Sequence, residues 1–116
     1  MKLKITIGDK TATAVLYDNP TSRDFVTMLP LTVKMDDYSN TEKIFYLSRK
    51  LSVKDAPAGF DPSIGDITLY APWGNIALFY KDFGYSNGLI SLGKITSGIE
   101  AFSVKGSVRV KFEAEQ

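Results

Sequence analysis

The chain has 116 residues, 14 basic and 13 acidic side chains, a formal net charge of +1, and 44% hydrophobic and 12% aromatic content. That length suits a single domain, residues 1–116, with a core that needs no staples, and the balanced charge offers no field to draw in nucleic acid or an anionic membrane. Cysteine and histidine are both absent, which excludes disulfides, thiol nucleophiles, thiolate zinc sites and any catalytic unit built on imidazole.

In chain order, Leu3, Ile5 and Ile7 alternate with Lys2, Lys4 and Thr6, the period of a half-buried strand and not the apolar run of a signal peptide. No stretch approaches a membrane helix; a cytoplasmic protein is expected, and a chain whose export signal had been removed would read the same. Gly8-Asp9-Lys10 turns the chain into a second strand, Thr11–Tyr17. Asn19 and Pro20 then predict a helix start, with Asn19 as N-cap and Pro20 at the first helical position. A competing cap at Thr21 with Asp24 shifts that start by about two residues. Phe25, Met28 and Leu29 form the apolar stripe, and Pro30 stops the helix after Leu29.

Leu31, Val33 and Met35 predict a third strand, and Asp37-Tyr38-Ser39-Asn40 a turn. Ile44–Leu47 predicts a fourth strand, apolar on both faces, and Ser52–Gly65 a long loop. Asp66–Ala71 and Asn75–Lys81 are strands joined at Pro72-Trp73-Gly74, and Asp82–Gly88 is a loop bearing Phe83 and Tyr85. Leu89–Ile95, a helical turn over Gly98–Phe102, and Ser107–Glu113 complete the chain, with Val108, Val110 and Phe112 facing inward. Eight closely spaced strands and one or two short helices predict an all-β fold, a closed eight-stranded barrel without free sheet edges.

The segments Gly65–Lys81 and Leu89–Gly98, with Leu92-Gly93-Lys94-Ile95 at their centre, resemble the corresponding part of cyclophilins. The Asn19-Pro20-Thr21 helix start, the Leu29-Pro30 exit and the Trp73-Gly74-Asn75 turn are similar to those of small bacterial cyclophilin-like domains, across essentially the whole chain. The resemblance implies the fold and assigns no activity. The catalytic Phe-His-Arg setting, the Gln-Phe-Phe segment and the later histidine of the cyclophilin prolyl isomerases have no counterpart here. Of three arginines, Arg23 lies on the helix and Arg109 on an outer strand face, which leaves Arg49 as the candidate cation.

The aromatic residues of the second half, with the Asn75 amide for polar direction, suit a groove for a peptide or small organic ligand. The candidate ligand-binding residues are Arg49 for charge pairing, Trp73, Phe83 and Tyr85 for stacking, Asn75 for hydrogen bonding, and Tyr46 as an outlying member. Asp36-Asp37 reads as turn chemistry, because adjacent strand residues point to opposite faces and make a poor acid–base pair. Asp61 and Asp66 lack calcium-loop spacing, and the glycines fit neither phosphate-loop pattern. No cofactor, metal, nucleic acid or membrane is expected. The leading expectation is a non-catalytic binding module. The alternatives are a divergent prolyl isomerase working through Arg49, and an interaction domain that self-associates or docks a partner.

Overall fold

The computed structural model describes residues 1–115. Ten strands run β1 (Lys2–Ile7), β2 (Lys10–Leu16), β3 (Leu31–Tyr38), β4 (Glu42–Tyr46), β5 (Gly59–Phe60), β6 (Asp66–Tyr70), β7 (Asn75–Phe79), β8 (Ser86–Asn87), β9 (Leu89–Ser97) and β10 (Val108–Ala114). Helix α1 (Pro20–Val26) follows β2, and a 3-10 turn (Ile99–Phe102) precedes β10. Eight strands close into an antiparallel barrel in the order β1-β10-β3-β4-β7-β6-β9-β2, while β5 and β8 form a separate two-stranded sheet. The expected closed barrel is therefore present. The mini-sheet is an addition, lying within the two segments that read as loops.

Helix α1 starts where the sequence places it. Asn19 has extended backbone, φ −137° and ψ 164°, and its side chain accepts the Ser22 N–H, with Pro20 beginning the helix. The Asn19 amide also donates to the Ser91 carbonyl at 3.1 Å, tying the cap to the barrel. Thr21 does not cap; its hydroxyl donates to the Ser52 carbonyl at 2.7 Å. The helix ends at Val26 and not at Leu29, because the next turn tightens: the N–H groups of Met28 and Leu29 reach back only three residues, to Phe25 and Val26. A cis Leu29–Pro30 peptide then leads into β3.

An eight-stranded barrel has an interior just wide enough for side chains to fill. Leu3, Ile5 and Ile7 of β1, Val110 and Phe112 of β10, and Met35 of β3 are buried there. Phe25 of α1 and Phe102 of the 3-10 turn join the same cluster. The ring of Phe112 packs on Phe45 at 5.5 Å and on Phe25 at 6.1 Å between centroids.

A second apolar cluster, Ile44, Ala77, Phe79 and Leu89 with Phe60 and Tyr70, lies on the other face of the sheet. Register explains it. Ile44 pairs with Ala77, and Ala77 with Thr68, so these side chains form one outward row. Tyr46, Asn75 and Tyr70 form a parallel row, and Glu42 with Phe79 a third. Phe45, Ile76 and Leu69 point the opposite way, into the barrel.

Strand β3 runs on through Tyr38, so Asp36 and Asp37 are strand residues; the turn is carried by Ser39 and Asn40, with φ 53° and 56°, and by Thr41. The two carboxylates diverge as strand neighbours must. Asp36 accepts from Ser107 Oγ, while Asp37 pairs with Lys43 Nζ at 2.7 Å. Lys43, fully buried, also donates to the carbonyls of Val104 and Gly106 at 2.6 Å each, which fastens the loop before β10 to the barrel. Burial raises the Asp37 carboxyl, but Lys43, the Gly106 N–H and the Tyr80 hydroxyl outweigh it and hold the group below its ordinary value.

Candidate functional site

On the outer face of β4, β7 and β6 lies a cleft of about 160 Å³. Its floor is made by Ile44, Ala77 and Leu89, and by Asn75 and Glu42 at either end of the β7 rows. Its walls are aromatic: Tyr38 from the end of β3, Tyr70 and Trp73 from the β6–β7 hairpin, and Phe79 with Phe83 on the side of the 82–88 loop.

The walls are built from local features. The hairpin turn closes with Gly74 at φ 71° and its N–H on the Tyr70 carbonyl at 2.9 Å, which sets Trp73 at the tip. Trp73 meets Tyr38 and Tyr70 edge-on, with centroids 5.9 and 5.4 Å away. On the far side Phe83 rests on Phe79 at 5.8 Å. Trp73 and Phe83 stay 53% and 48% exposed, so these large rings line the cleft without completing a core.

The mini-sheet sets the 82–88 loop in place. Gly88 donates to the Ala58 carbonyl at 2.8 Å, and its own carbonyl accepts from Ala71. With φ 87° and Pro72 so close that a Cβ would come within 2.7 Å of its ring, position 88 requires glycine. The loop is thereby tied both to β5 and to the hairpin that carries Trp73.

The two polar residues of the floor have no partners for their acceptors. Asn75 is 3% exposed; its Nδ2 makes a long 3.4 Å contact with the Ile76 carbonyl, and its Oδ1 has none. Glu42 is 7% exposed, set between Tyr38 and Phe79 across the two neighbouring strands. Burial, unrelieved by any hydrogen bond or cation, pushes its carboxyl up to about 7. A buried titratable group in a cleft, shifted by its environment, is a physical marker of a functional site.

Of the six residues singled out from the sequence, the cleft brings together Trp73, Asn75 and Phe83. Tyr46 lies on the same outer face beside Asn75 but is 61% exposed and lines no part of the cleft. Tyr85 lies over Gly59, where an added Cβ would come within 2.5 Å of its hydroxyl. Arg49 sits elsewhere, forked onto Asp24 of α1 at 3.0 and 3.2 Å and donating to Thr27 Oγ1 at 2.7 Å. Its guanidinium holds the Asp24 carboxyl below its ordinary value, helped by the Ser52 N–H.

Sequence reasoning missed Tyr38, placed in a turn, and Glu42. One signal for Glu42 stands in the chain: Glu42 and Lys43 both precede Ile44 and Phe45, so a strand apolar on both faces begins with a charge directed at each.

A second cavity, about 360 Å³, lies between the start of α1 and the 54–60 segment. Ser91, which lines it, has an unpartnered hydroxyl, but its Asn19 amide is spent on the helix cap and on the barrel. Among the described residues no helix is long and apolar enough to cross a membrane.

A solved structure with the same fold is the solution structure of a hypothetical protein from Archaeoglobus fulgidus, with a TM-score of 0.74 and 19% identity over 99% of this chain and 95% of that one. At that identity the likeness speaks for the fold alone. No curated protein matches the chain. The model of the Cyclophilin-like family matches residues 5–113, which spans the barrel from β1 into β10, and the chain belongs to that family.

Proposed function

We propose that this protein is a non-catalytic binding module that takes a peptide or small organic ligand in the outer cleft of β4, β7 and β6. One observation carries the reading: five aromatic rings wall a cleft whose floor holds Asn75 Oδ1, buried without a partner, and the Glu42 carboxyl, which meets no donor or cation among the described residues. Each unmet buried polar group costs about 1–3 kcal/mol, and a ligand that donates to them recovers that cost. The half-exposed rings of Trp73 and Phe83 supply apolar area on the same surface. An isomerase would need a cation fixed beside the prolyl nitrogen, and the Arg49 fork is committed to Asp24.

The test is a titration of labelled protein with capped Ala-Pro and Phe-Pro peptides and small organic fragments, followed by two-dimensional NMR with exchange spectra on the peptides. Shifts centred on Trp73, Asn75 and Phe83, retained in Arg49→Ala and lost in Trp73→Ala, are expected, with no acceleration of cis/trans exchange. Faster exchange on the bound peptide would make the protein an isomerase. Shifts confined to other surfaces, or none at all, would remove the cleft as the binding site.

A further inference from the structure

Among the described residues, the one fully buried side-chain atom of the outer cleft without a partner is an acceptor. Asn75 turns its Nδ2 toward the Ile76 carbonyl and leaves Oδ1 bare. Glu42 meets neither a donor nor a cation. Among the described residues no lysine or arginine lines the cleft, so Glu42 is its one ionisable acid or base there apart from the phenols of Tyr38 and Tyr70. The other ionisable groups near Glu42 are turned elsewhere: Lys43 faces Asp37 inside the barrel, and the Tyr80 hydroxyl donates to Asp37 at 3.0 Å. The aromatic walls add to the same polarity, since each ring carries a negative face that attracts a cation within about 6 Å. A site of acceptors, one carboxyl and ring faces is complementary to a positively charged donor.

We infer that the cleft recognises a primary alkylammonium group, whose N–H donors meet the Glu42 carboxylate while its alkyl stem packs between Trp73 and Phe83. This rests on the reading of the cleft as the ligand site and adds the chemistry of what enters it. The volume of about 160 Å³ fits a single group, since a cavity of about 150 Å³ takes one benzene. The rest of the ligand therefore lies outside, across the half-exposed rings. Two sources carry this chemistry, a free small amine and a lysine side chain of a peptide. Because the Glu42 carboxyl is held up near 7 in the empty cleft, a cation binds the ionised form and displaces its proton, so affinity rises with pH through that range.

The experiment uses butylamine and its neutral isostere 1-butanol, with binding followed by the fluorescence of Trp73, the only tryptophan, and by the side-chain amide signals of Asn75. At pH 8 butylamine is expected to bind at least tenfold tighter than 1-butanol and to weaken several-fold by pH 5.5. Glu42→Gln is expected to remove that tenfold preference. A capped lysine that binds more tightly than butylamine, and loses this on Nε-acetylation, identifies a peptide as the source; a capped lysine that binds more weakly identifies a free amine. Equal binding of butylamine and 1-butanol, a preference that survives in Glu42→Gln, or a flat pH profile overturns the ammonium assignment. In those cases shifts from 1-butanol or the capped proline peptides at Trp73 and Asn75 keep the cleft as a site for neutral ligands. Silence toward every probe removes both readings together.

Discussion

Glu42 and Lys43 are chain neighbours, both buried, with opposite solutions to the same cost. Lys43 projects inward and gives its three donors to Asp37, Val104 and Gly106; Glu42 projects outward and meets no partner. Replacing Lys43 by Met should therefore cost about 3 kcal/mol, since it leaves Asp37 without its cation and two carbonyls without their donor, and urea unfolding at pH 7 measures it. A loss well under 1 kcal/mol would mean the loop before β10 holds without the ammonium. Glu42→Gln should act in the other direction. The carboxyl titrates near 4.5 in its ordinary state and about 7 in the fold, so between those values the folded state keeps a proton that the unfolded chain has shed. Stability then falls as pH rises through that window. Because the carboxyl is only part-desolvated, stability takes up a fraction of that shift, and Glu42→Gln should match the parent at pH 4 and exceed it by about 1–2 kcal/mol at pH 8. Equal stability at both pH values would show that the carboxylate is solvated or paired after all.

At the scale of elements, what could be read from the chain is what short spacing controls. The Asn19–Pro20 helix start depends on contacts within four residues, and the strand periods of β1 and β10 on simple alternation; both stand in the fold. The cleft depends on partners far apart in the chain: Glu42 is covered by Phe79, 37 positions away, and Arg49 finds Asp24, 25 positions away. Strands β4 and β7 are apolar on both faces because one face fills the barrel and the other floors the cleft, so alternation alone could not say which was which. Tyr38 was hidden for a related reason, a turn-rich stretch whose first two members belong to β3. The mini-sheet of β5 and β8 is too short to leave a period, and its determinant is steric. A Cβ at Gly59 would lie 2.5 Å from the Ser86 carbonyl oxygen, so Gly59→Ala should force the two strands apart at a cost of about 1–2 kcal/mol. Hydrogen exchange should show the Gly88 amide losing protection while β1 and β10 keep theirs. Unchanged exchange at Gly88 would mean that the loop carrying Phe83 is held by the hairpin alone.

Across the whole molecule, the closed barrel separates the side chains that fold the protein from those offered to a ligand, and three strands serve both. Phe112, fully buried, touches Phe25 and Phe45 within the inner cluster. Truncating it to Ala removes a ring from a close-packed interior and should cost about 3–5 kcal/mol. The fraction still folded should bind at the cleft with unchanged affinity, because β10 contributes nothing to its lining. Phe83 is the converse case, half exposed and touching Phe79 on the outside. Phe83→Ala should change stability by less than about 1 kcal/mol yet weaken ligand binding, since it opens one wall. Urea unfolding and the same NMR titration on both variants measure the split. A Phe83→Ala protein destabilised as strongly as Phe112→Ala would show that the outer aromatics complete the folding core. In that event the buried, unpartnered Glu42 would be a cost the fold carries for packing and not for a ligand.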